Sequence, residues 1–114
     1  MAFCNGIVQK GGEYGRRLGF PTANVPFDDK DVSGVFAAKI RFDGKEYNAA
    51  VYADQRNKVL EVHLLHFSGE LYGKELEIEL CEKIRADMRF ESEEEAKKTI
   101  AADVLAARAY FNRR

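Results

Sequence analysis

The segment 15–24 combines residue types that bind phosphate and metal ions. Its glycines allow backbone amides to approach an anion closely, and Arg16 and Arg17 can neutralise the charge of that anion. Thr22 and Asn24 carry uncharged oxygens that suit a hard cation such as Mg²⁺. They are two residues apart, so both point to the same side of an extended segment. The segment predicts a site for an anion and its metal, but the same composition also forms a plain turn between strands.

Glu61 is the second residue with a type and position suited to chemistry. It lies in an alternating run over 59–65, out of phase with Leu60 and Val62 and on the same side as His63. A carboxylate that faces a cavity can act as a general base. A solvated glutamate on an outer face has the same spacing, so the pattern alone leaves both interpretations open.

Length, charge and cysteine content restrict the function classes. A chain of 114 residues is expected to form a single domain over 1–114. A net charge of −1 argues against nucleic acid as a partner, because no basic excess is available to bind its phosphates. No run is apolar enough for a membrane span or a signal peptide, so a cytoplasmic protein without a membrane partner is expected. Cys4 and Cys81 lack metal-site spacing and are predicted to be free thiols.

The elements that must position these residues are mostly strands. Alternating runs predict strands over 32–42, 46–52, 59–65 and 75–80. The Asp43-Gly44 pair between the first two runs is typical of a tight hairpin turn. Short strands at this spacing predict an antiparallel barrel or sandwich.

The C-terminal part has the pattern of a helix. Ser92 and Glu95 form a capping box at its start. Acidic residues around the first turn are attributed to the helix dipole and not to chemistry. The residues predicted to face the barrel are Ala96, Ile100, Val104, Leu105, Ala107 and Phe111.

A series of motifs in this sequence resembles the riboflavin kinase family. In chain order they are a glycine-bearing start from Gly6 that ends in Gly-Phe-Pro-Thr-Ala-Asn at 19–24, Gly-Val-Phe-Ala at 34–37, Leu-Glu-Val-His-Leu-Leu at 60–65, Leu-Tyr-Gly-Lys at 71–74, and Ile84-Arg85 with Phe90 and Ser92. The similarity extends from Gly6 to the final helix and so covers nearly the whole chain.

The resemblance implies a fold and a reaction. The fold is mainly β, a six-stranded antiparallel Greek-key-type barrel with a C-terminal α-helix. The reaction is transfer of the ATP γ-phosphoryl group to the 5′-hydroxyl of riboflavin, which gives FMN and ADP. Mg²⁺ accompanies ATP as the cofactor, and riboflavin/FMN and ATP/ADP are the implied partners.

The resemblance also assigns roles to individual residues. Thr22 and Asn24 are implied to hold Mg²⁺ and phosphate, and Glu61 to accept the proton of the hydroxyl. Arg85 and Phe90 match the flavin side, although an ion pair for Arg85 and a core position for Phe90 are equally compatible with the sequence. The residues implied to bind the nucleotide are Gly11, Gly15, Arg16, Arg17, Thr22 and Asn24.

The chain departs from the family pattern at three points. The connection at 28–31 is a run of charged residues that replaces a longer family segment. A proline-containing loop that helps to cover the nucleotide is replaced by Ala-Asp-Gln-Arg-Asn-Lys at 53–58. The adenylyltransferase domain that is often fused ahead of this module is missing from the sequence, so synthesis of FMN but not of FAD is expected. An alternative function is a non-catalytic flavin- or nucleotide-binding module derived from the same fold.

Overall fold

The computed structural model describes residues 2–10, 19–67 and 69–113. Within these ranges the chain forms six strands and one helix. The strands are β1 (Ala2–Ile7), β2 (Ala23–Pro26), β3 (Gly34–Phe42), β4 (Lys45–Asp54), β5 (Val59–Leu64) and β6 (Glu75–Arg85), and the helix is α1 (Glu93–Phe111). All paired strands are antiparallel, in the spatial order β1-β6-β3-β4-β5-β2.

The strand order contains a Greek key. Strands β3, β4 and β5 follow one another as hairpins, and β6 returns to lie beside β3. The β3–β4 turn places Asp43 and Gly44 at φ values of 53° and 75°, the left-handed pair of a type I′ turn whose twist matches that of the flanking strands. The predicted mainly β Greek-key barrel with a C-terminal helix is therefore confirmed.

The two outermost strands approach each other and nearly close the barrel. The backbone N–H of Gln9 donates to the carbonyl oxygen of Asn24 at 2.8 Å. Gly6 of β1 lies directly against the side chain of Val25 in β2, where a Cβ atom would collide with Val25 Cγ1. Glycine at position 6 therefore permits the close approach of β1 to β2.

The observed strands differ from the sequence prediction in their bounds and in their number. Strand β3 begins at Gly34 instead of residue 32, and β6 continues to Arg85, five residues beyond the predicted end at Leu80. Strands β1 and β2 were not among the predicted strands. In β1, the apolar residues Phe3 and Ile7 are 62% and 57% exposed, so apolar side chains occupy the outer face where the alternation normally places polar ones.

The sheet has an apolar interior and a partly polar outer face. Inward-pointing side chains from all six strands form the main core, whose largest fully buried members are Ile40, Leu60, Leu76, Ile78, Val25, Val51 and Val62. On the outer face, Ala37, Ala50 and Leu65 pack against Val104 and Ala107 of α1. The alternation along each strand thus supplies two separate packing surfaces.

Helix α1 begins as the sequence predicts. Ser92 is the N-cap, and its Oγ accepts from the Glu95 N–H at 3.1 Å. The Glu95 carboxylate reaches back to accept from the Glu91 N–H at 2.7 Å. The prediction that Leu105 faces the barrel is wrong: Leu105 is 65% exposed, because it lies about 100° around the helix from Val104, which does pack inward. Over the described residues, the structure contains no helix with the length and apolar character that a membrane crossing requires.

Candidate active site

A cavity of about 730 Å³ lies on the outer face of the sheet, where α1 and the segment 86–90 rise above β3, β4 and β5. Of the fully buried core residues of the barrel, Val51 is among those that line this cavity. Four of the predicted site residues line it, namely Thr22, Glu61, Arg85 and Phe90, whereas Asn24 is the strand partner of Glu61 but is not part of the cavity wall. Residues that are separated by up to 68 positions along the chain are therefore gathered around one cavity.

Strand register orders the polar residues along this face. Direct cross-strand partners form a row over five strands, in the order Asn24, Glu61, Tyr52, Val35 and Arg85. Because directly paired residues point to the same face of a sheet, their side chains are neighbours. The row places a candidate metal ligand at one end and the candidate flavin-side cation at the other.

Thr22 and Asn24 flank Ala23, which is buried against the barrel interior, so their side chains lie on the outer side. Asn24 Oδ1 is fully buried and has no hydrogen-bond partner among the described residues. A buried acceptor without a hydrogen bond lowers the stability of the folded protein by about 1–3 kcal/mol. A bound cation, or a water molecule ordered beside a bound phosphate, would remove that cost. The neutral oxygens of Thr22 and Asn24 suit Mg²⁺, which usually keeps several waters and takes its other ligands from phosphate.

His63 fixes the Thr22 segment to β5. Its Nδ1 lies 2.8 Å from the carbonyl oxygen of Pro21, and since a carbonyl only accepts, Nδ1 is the donor. The imidazole also meets the ring of Phe20 edge to face, with the centroids 5.8 Å apart. The metal-side segment is thus held beside the strand that carries Glu61.

Glu61 is a half-buried carboxylate with a raised pKa. Burial is the larger cause and the neighbouring Asp54 carboxylate the second, and together they raise the pKa of Glu61 to about 7. Asp54 itself is 7% exposed and accepts from the N–H and the Nδ2 of Asn57 at 3.1 and 2.8 Å. A carboxylate with this pKa is a stronger base than an ordinary glutamate and is still ionised in part near neutral pH.

The segment 53–58, which departs from the family pattern, forms a tight turn at the cavity edge. Gln55 Nε2 donates to the carbonyl oxygens of Lys30 and Val32 at 2.7 and 3.0 Å, which joins the turn to the preceding connection. Asp54, Arg56 and Asn57 from this segment line the cavity. The short segment therefore still contributes polar groups to the site.

Arg85 and Phe90 form the opposite end of the cavity. Nε and Nη2 of Arg85 donate to the two carboxylate oxygens of Asp103 in α1, both at 2.8 Å, and Nη1 donates to the Ala86 carbonyl at 3.1 Å. The guanidinium carbon is 5.8 Å from the centroid of the Phe90 ring. The ion pair that the sequence left open for Arg85 is present, and it directs the guanidinium along the cavity wall instead of into solvent.

Several cavity residues had no sequence signal. Tyr52, Asp54, Asp87 and Asp103 become neighbours of the predicted residues only through strand pairing and helix packing. Asp103 lies 18 residues after Arg85, a separation with no periodic meaning. Four of the predicted nucleotide-binding residues, Gly11, Gly15, Arg16 and Arg17, lie outside the described residues.

Proteins of one family are similar to this chain over nearly its whole length. A family model described as riboflavin kinase matches residues 1–111. The chain belongs to the riboflavin kinase family. Among its relatives, the bifunctional riboflavin kinase/FMN adenylyltransferase of Haemophilus influenzae is 38% identical over 116 residues, which cover 94% of this chain and 38% of the relative. The enzyme of the same name from Escherichia coli K12 is 40% identical over 117 residues, 94% of this chain and 37% of the relative.

The similarity to the riboflavin kinase family extends to three dimensions. The crystal structure of riboflavin kinase from Trypanosoma brucei superposes with a TM-score of 0.69 at 26% identity, covering 97% of this chain and 77% of the other. The chain spans less than two-fifths of the length of the two bacterial relatives. The family and fold are thereby fixed, and the match covers all the described elements of the cavity.

Proposed function

We propose that the chain is a riboflavin kinase, which transfers the γ-phosphoryl group of MgATP to the 5′-hydroxyl of riboflavin and yields FMN and ADP. The observation that carries the proposal is the pairing of Glu61 with Asn24. These partners on adjacent strands set a base of raised pKa beside a buried oxygen that has no protein partner among the described residues. A base next to an anion-and-metal subsite is what transfer of a phosphoryl group to an alcohol requires.

The proposed roles follow the order of the cross-strand row. Thr22 and Asn24 hold Mg²⁺ together with the nucleotide phosphates, and when bound the ion supplies positive charge to the phosphate oxygens. The segment 11–17 is assigned to the nucleotide on its motif alone. Arg85 and Phe90 form the flavin wall, because a guanidinium packed beside an aromatic ring presents apolar and cationic surface to a flat ring system.

Glu61 handles the proton. Its carboxylate orients the 5′-hydroxyl for in-line attack and accepts the hydroxyl proton as the new oxygen–phosphorus bond forms and the bond between the γ-phosphorus and the bridging oxygen breaks. The electron pair of the broken bond leaves with ADP. Holding the hydroxyl at the correct angle contributes to the rate beside the proton transfer, since phosphoryl transfer depends mainly on positioning the reactants and stabilising charge.

The test is FMN formation from riboflavin and MgATP, followed by chromatography. Wild-type protein is expected to produce FMN, and Glu61→Gln to lower turnover by about 10²–10⁴-fold. Glu75→Gln is the matched control, because Glu75 is an exposed glutamate of β6 that does not line the cavity. Saturable flavin binding by the wild type without FMN formation would refute the kinase and favour the non-catalytic binding module.

A further inference from the structure

Tyr52 occupies the middle of the cavity face. In the cross-strand row it stands between Glu61 and Val35, one strand from the proposed base and two strands from Arg85. Neighbouring strands are about 4.8 Å apart, so a molecule that reaches from the Arg85 end to Glu61 must pass over Tyr52. Neither the sequence motifs nor the roles proposed above use this residue.

The hydroxyl of Tyr52 bridges two walls of the cavity. Tyr52 Oη donates to Asp87 Oδ1 at 3.0 Å, which joins β4 to the segment 86–90 between β6 and α1. Burial is the main reason that the pKa of Tyr52 is raised, followed by the hydrogen bond and charge of Asp87 and by the charges of Asp54 and Glu61. The hydroxyl therefore lies within electrostatic reach of three carboxylates.

The groups around Tyr52 suit a neutral hydroxyl-bearing ligand. Carboxylates accept hydrogen bonds and repel phosphate, whereas a phenol that donates to one carboxylate still accepts from another hydroxyl through its lone pairs. The cations of the described cavity wall are placed differently: Arg85 is paired with Asp103, and Arg56 and Arg89 are exposed. This part of the wall matches alcohol groups better than it matches an anion.

We propose that Tyr52 and Asp87 form a subsite for the polyol chain of the flavin and so help to determine substrate specificity. The inference rests on the proposed function, in which the flavin ring lies at Arg85 and Phe90 and the terminal hydroxyl reaches Glu61. The secondary hydroxyls between these ends donate to the Asp87 carboxylate and to Tyr52 Oη. The pair also aligns the chain, so that the terminal hydroxyl is delivered to the base.

The test compares two flavins by quenching of flavin fluorescence. Riboflavin is titrated beside a flavin whose ring nitrogen carries a 5-hydroxypentyl chain, which keeps the terminal hydroxyl and lacks the secondary ones. Wild-type protein is expected to bind riboflavin about tenfold or more tightly than the hydroxypentyl flavin. Tyr52→Phe and Asp87→Asn are each expected to reduce that preference about five- to tenfold, with little change in affinity for the hydroxypentyl flavin.

Tyr47→Phe is the matched control for loss of a phenolic hydroxyl. Tyr47 lies on the same strand but packs against Phe42 and Phe67 of the interior and does not line the cavity. Its substitution is expected to leave the preference between the two flavins unchanged. Thermal unfolding of each variant separates a change in the subsite from a loss of folded protein.

Several outcomes would overturn the subsite. One is that Tyr52→Phe weakens the binding of both flavins equally. The others are that both cavity variants keep the wild-type preference for riboflavin, or that the wild type binds neither flavin. Because flavin binding is measured without ATP, this experiment and the assay for FMN formation test the subsite and the kinase proposal separately. A protein that discriminates between the flavins but forms no FMN keeps the subsite and refutes the kinase, and FMN formation without discrimination does the reverse.

Discussion

The two faces of the same strands differ in the residues that they bury. On β5, Leu60, Val62 and Leu64 point into the barrel and are at most 7% exposed, while Glu61 and His63 point to the cavity. The polar residues that the structure buries, among those it describes, are Asp54 and Asp103, and both line the cavity. Apolar packing and polar chemistry are therefore separated by the direction of alternate side chains.

The carboxylates that the fold buries lie on the cavity face, where burying their charge is unfavourable. Buried carboxylates are costly unless they are paired, and Asp54 and Asp103 are held by Asn57 and Arg85. Glu61 differs from them, because burial and the Asp54 carboxylate disfavour its charged form and so raise its pKa. A shifted group in a cavity, supported by paired neighbours, is the arrangement that active sites use.

The strongest test of the comparison is Leu60→Ala, set beside Glu61→Gln on the next residue. Removing a fully buried leucine is expected to lower the free energy of unfolding by about 2–5 kcal/mol, because a cavity remains in the barrel. Flavin affinity of the folded variant is expected to stay near that of the wild type. Denaturant unfolding and flavin titration on both variants check this. A Leu60→Ala protein that folds normally but loses flavin binding would show that the two faces are not independent.

Asp103→Asn examines the buried ion pair on the outer face. Asparagine keeps one acceptor for Arg85 but loses the second and the negative charge, so the free energy of unfolding is expected to fall by about 1.5–3 kcal/mol. Flavin affinity is expected to drop severalfold, because the guanidinium beside Phe90 is no longer held. Denaturant unfolding and flavin titration measure the two effects. The exposed pair offers the control, since Glu82→Gln removes the negative charge that pairs with Arg113 and is expected to change stability little.

The faces also differ in how far the sequence predicts them. Alternation correctly set Glu61 on the opposite face from Leu60 and Val62, and Asp43-Gly44 marked a real hairpin turn, because these features depend on local spacing. Strand β1 was missed because its apolar Phe3 faces out. The cavity residues that the sequence did not predict depend on contacts between residues far apart in the chain. The bond from Tyr52 to Asp87 spans 35 residues and depends on how β4 and β6 are arranged in the sheet.

Titration of Glu61 in metal-free protein is expected to change the free energy of unfolding by a smaller amount, and in a definite direction with pH. Its pKa is raised from 4.5 to about 7, so between these values the folded protein holds a proton that the unfolded chain has released. The stability contributed by that proton is complete at low pH and lost as the pH rises through about 7. Relative to Glu61→Gln, we expect the wild type to lose about 1–2 kcal/mol of unfolding free energy between about pH 5 and pH 8, after solvent screening of a half-buried group.

Denaturant unfolding of both proteins at several pH values, with chelator present, checks this sign. The difference between wild type and Glu61→Gln is the relevant quantity, because it cancels the titration of groups that do not interact with Glu61. A difference that does not change with pH would mean that Glu61 is solvated and has an ordinary pKa. A difference of opposite sign would mean that a partner stabilises its ionised form.

The smallest effect is expected at the start of α1. Ser92→Ala removes the oxygen that accepts from the Glu95 N–H and is expected to lower the free energy of unfolding by about 1 kcal/mol, whereas Ser92→Asp should preserve it. Ser92 does not line the cavity, so flavin affinity should be the same in all three proteins. Denaturant unfolding and flavin titration measure both properties. If Ser92→Ala weakened flavin binding and Ser92→Asp restored it, the first turn of α1 would have to be counted with the cavity and not with the scaffold, because only the cap differs between these variants.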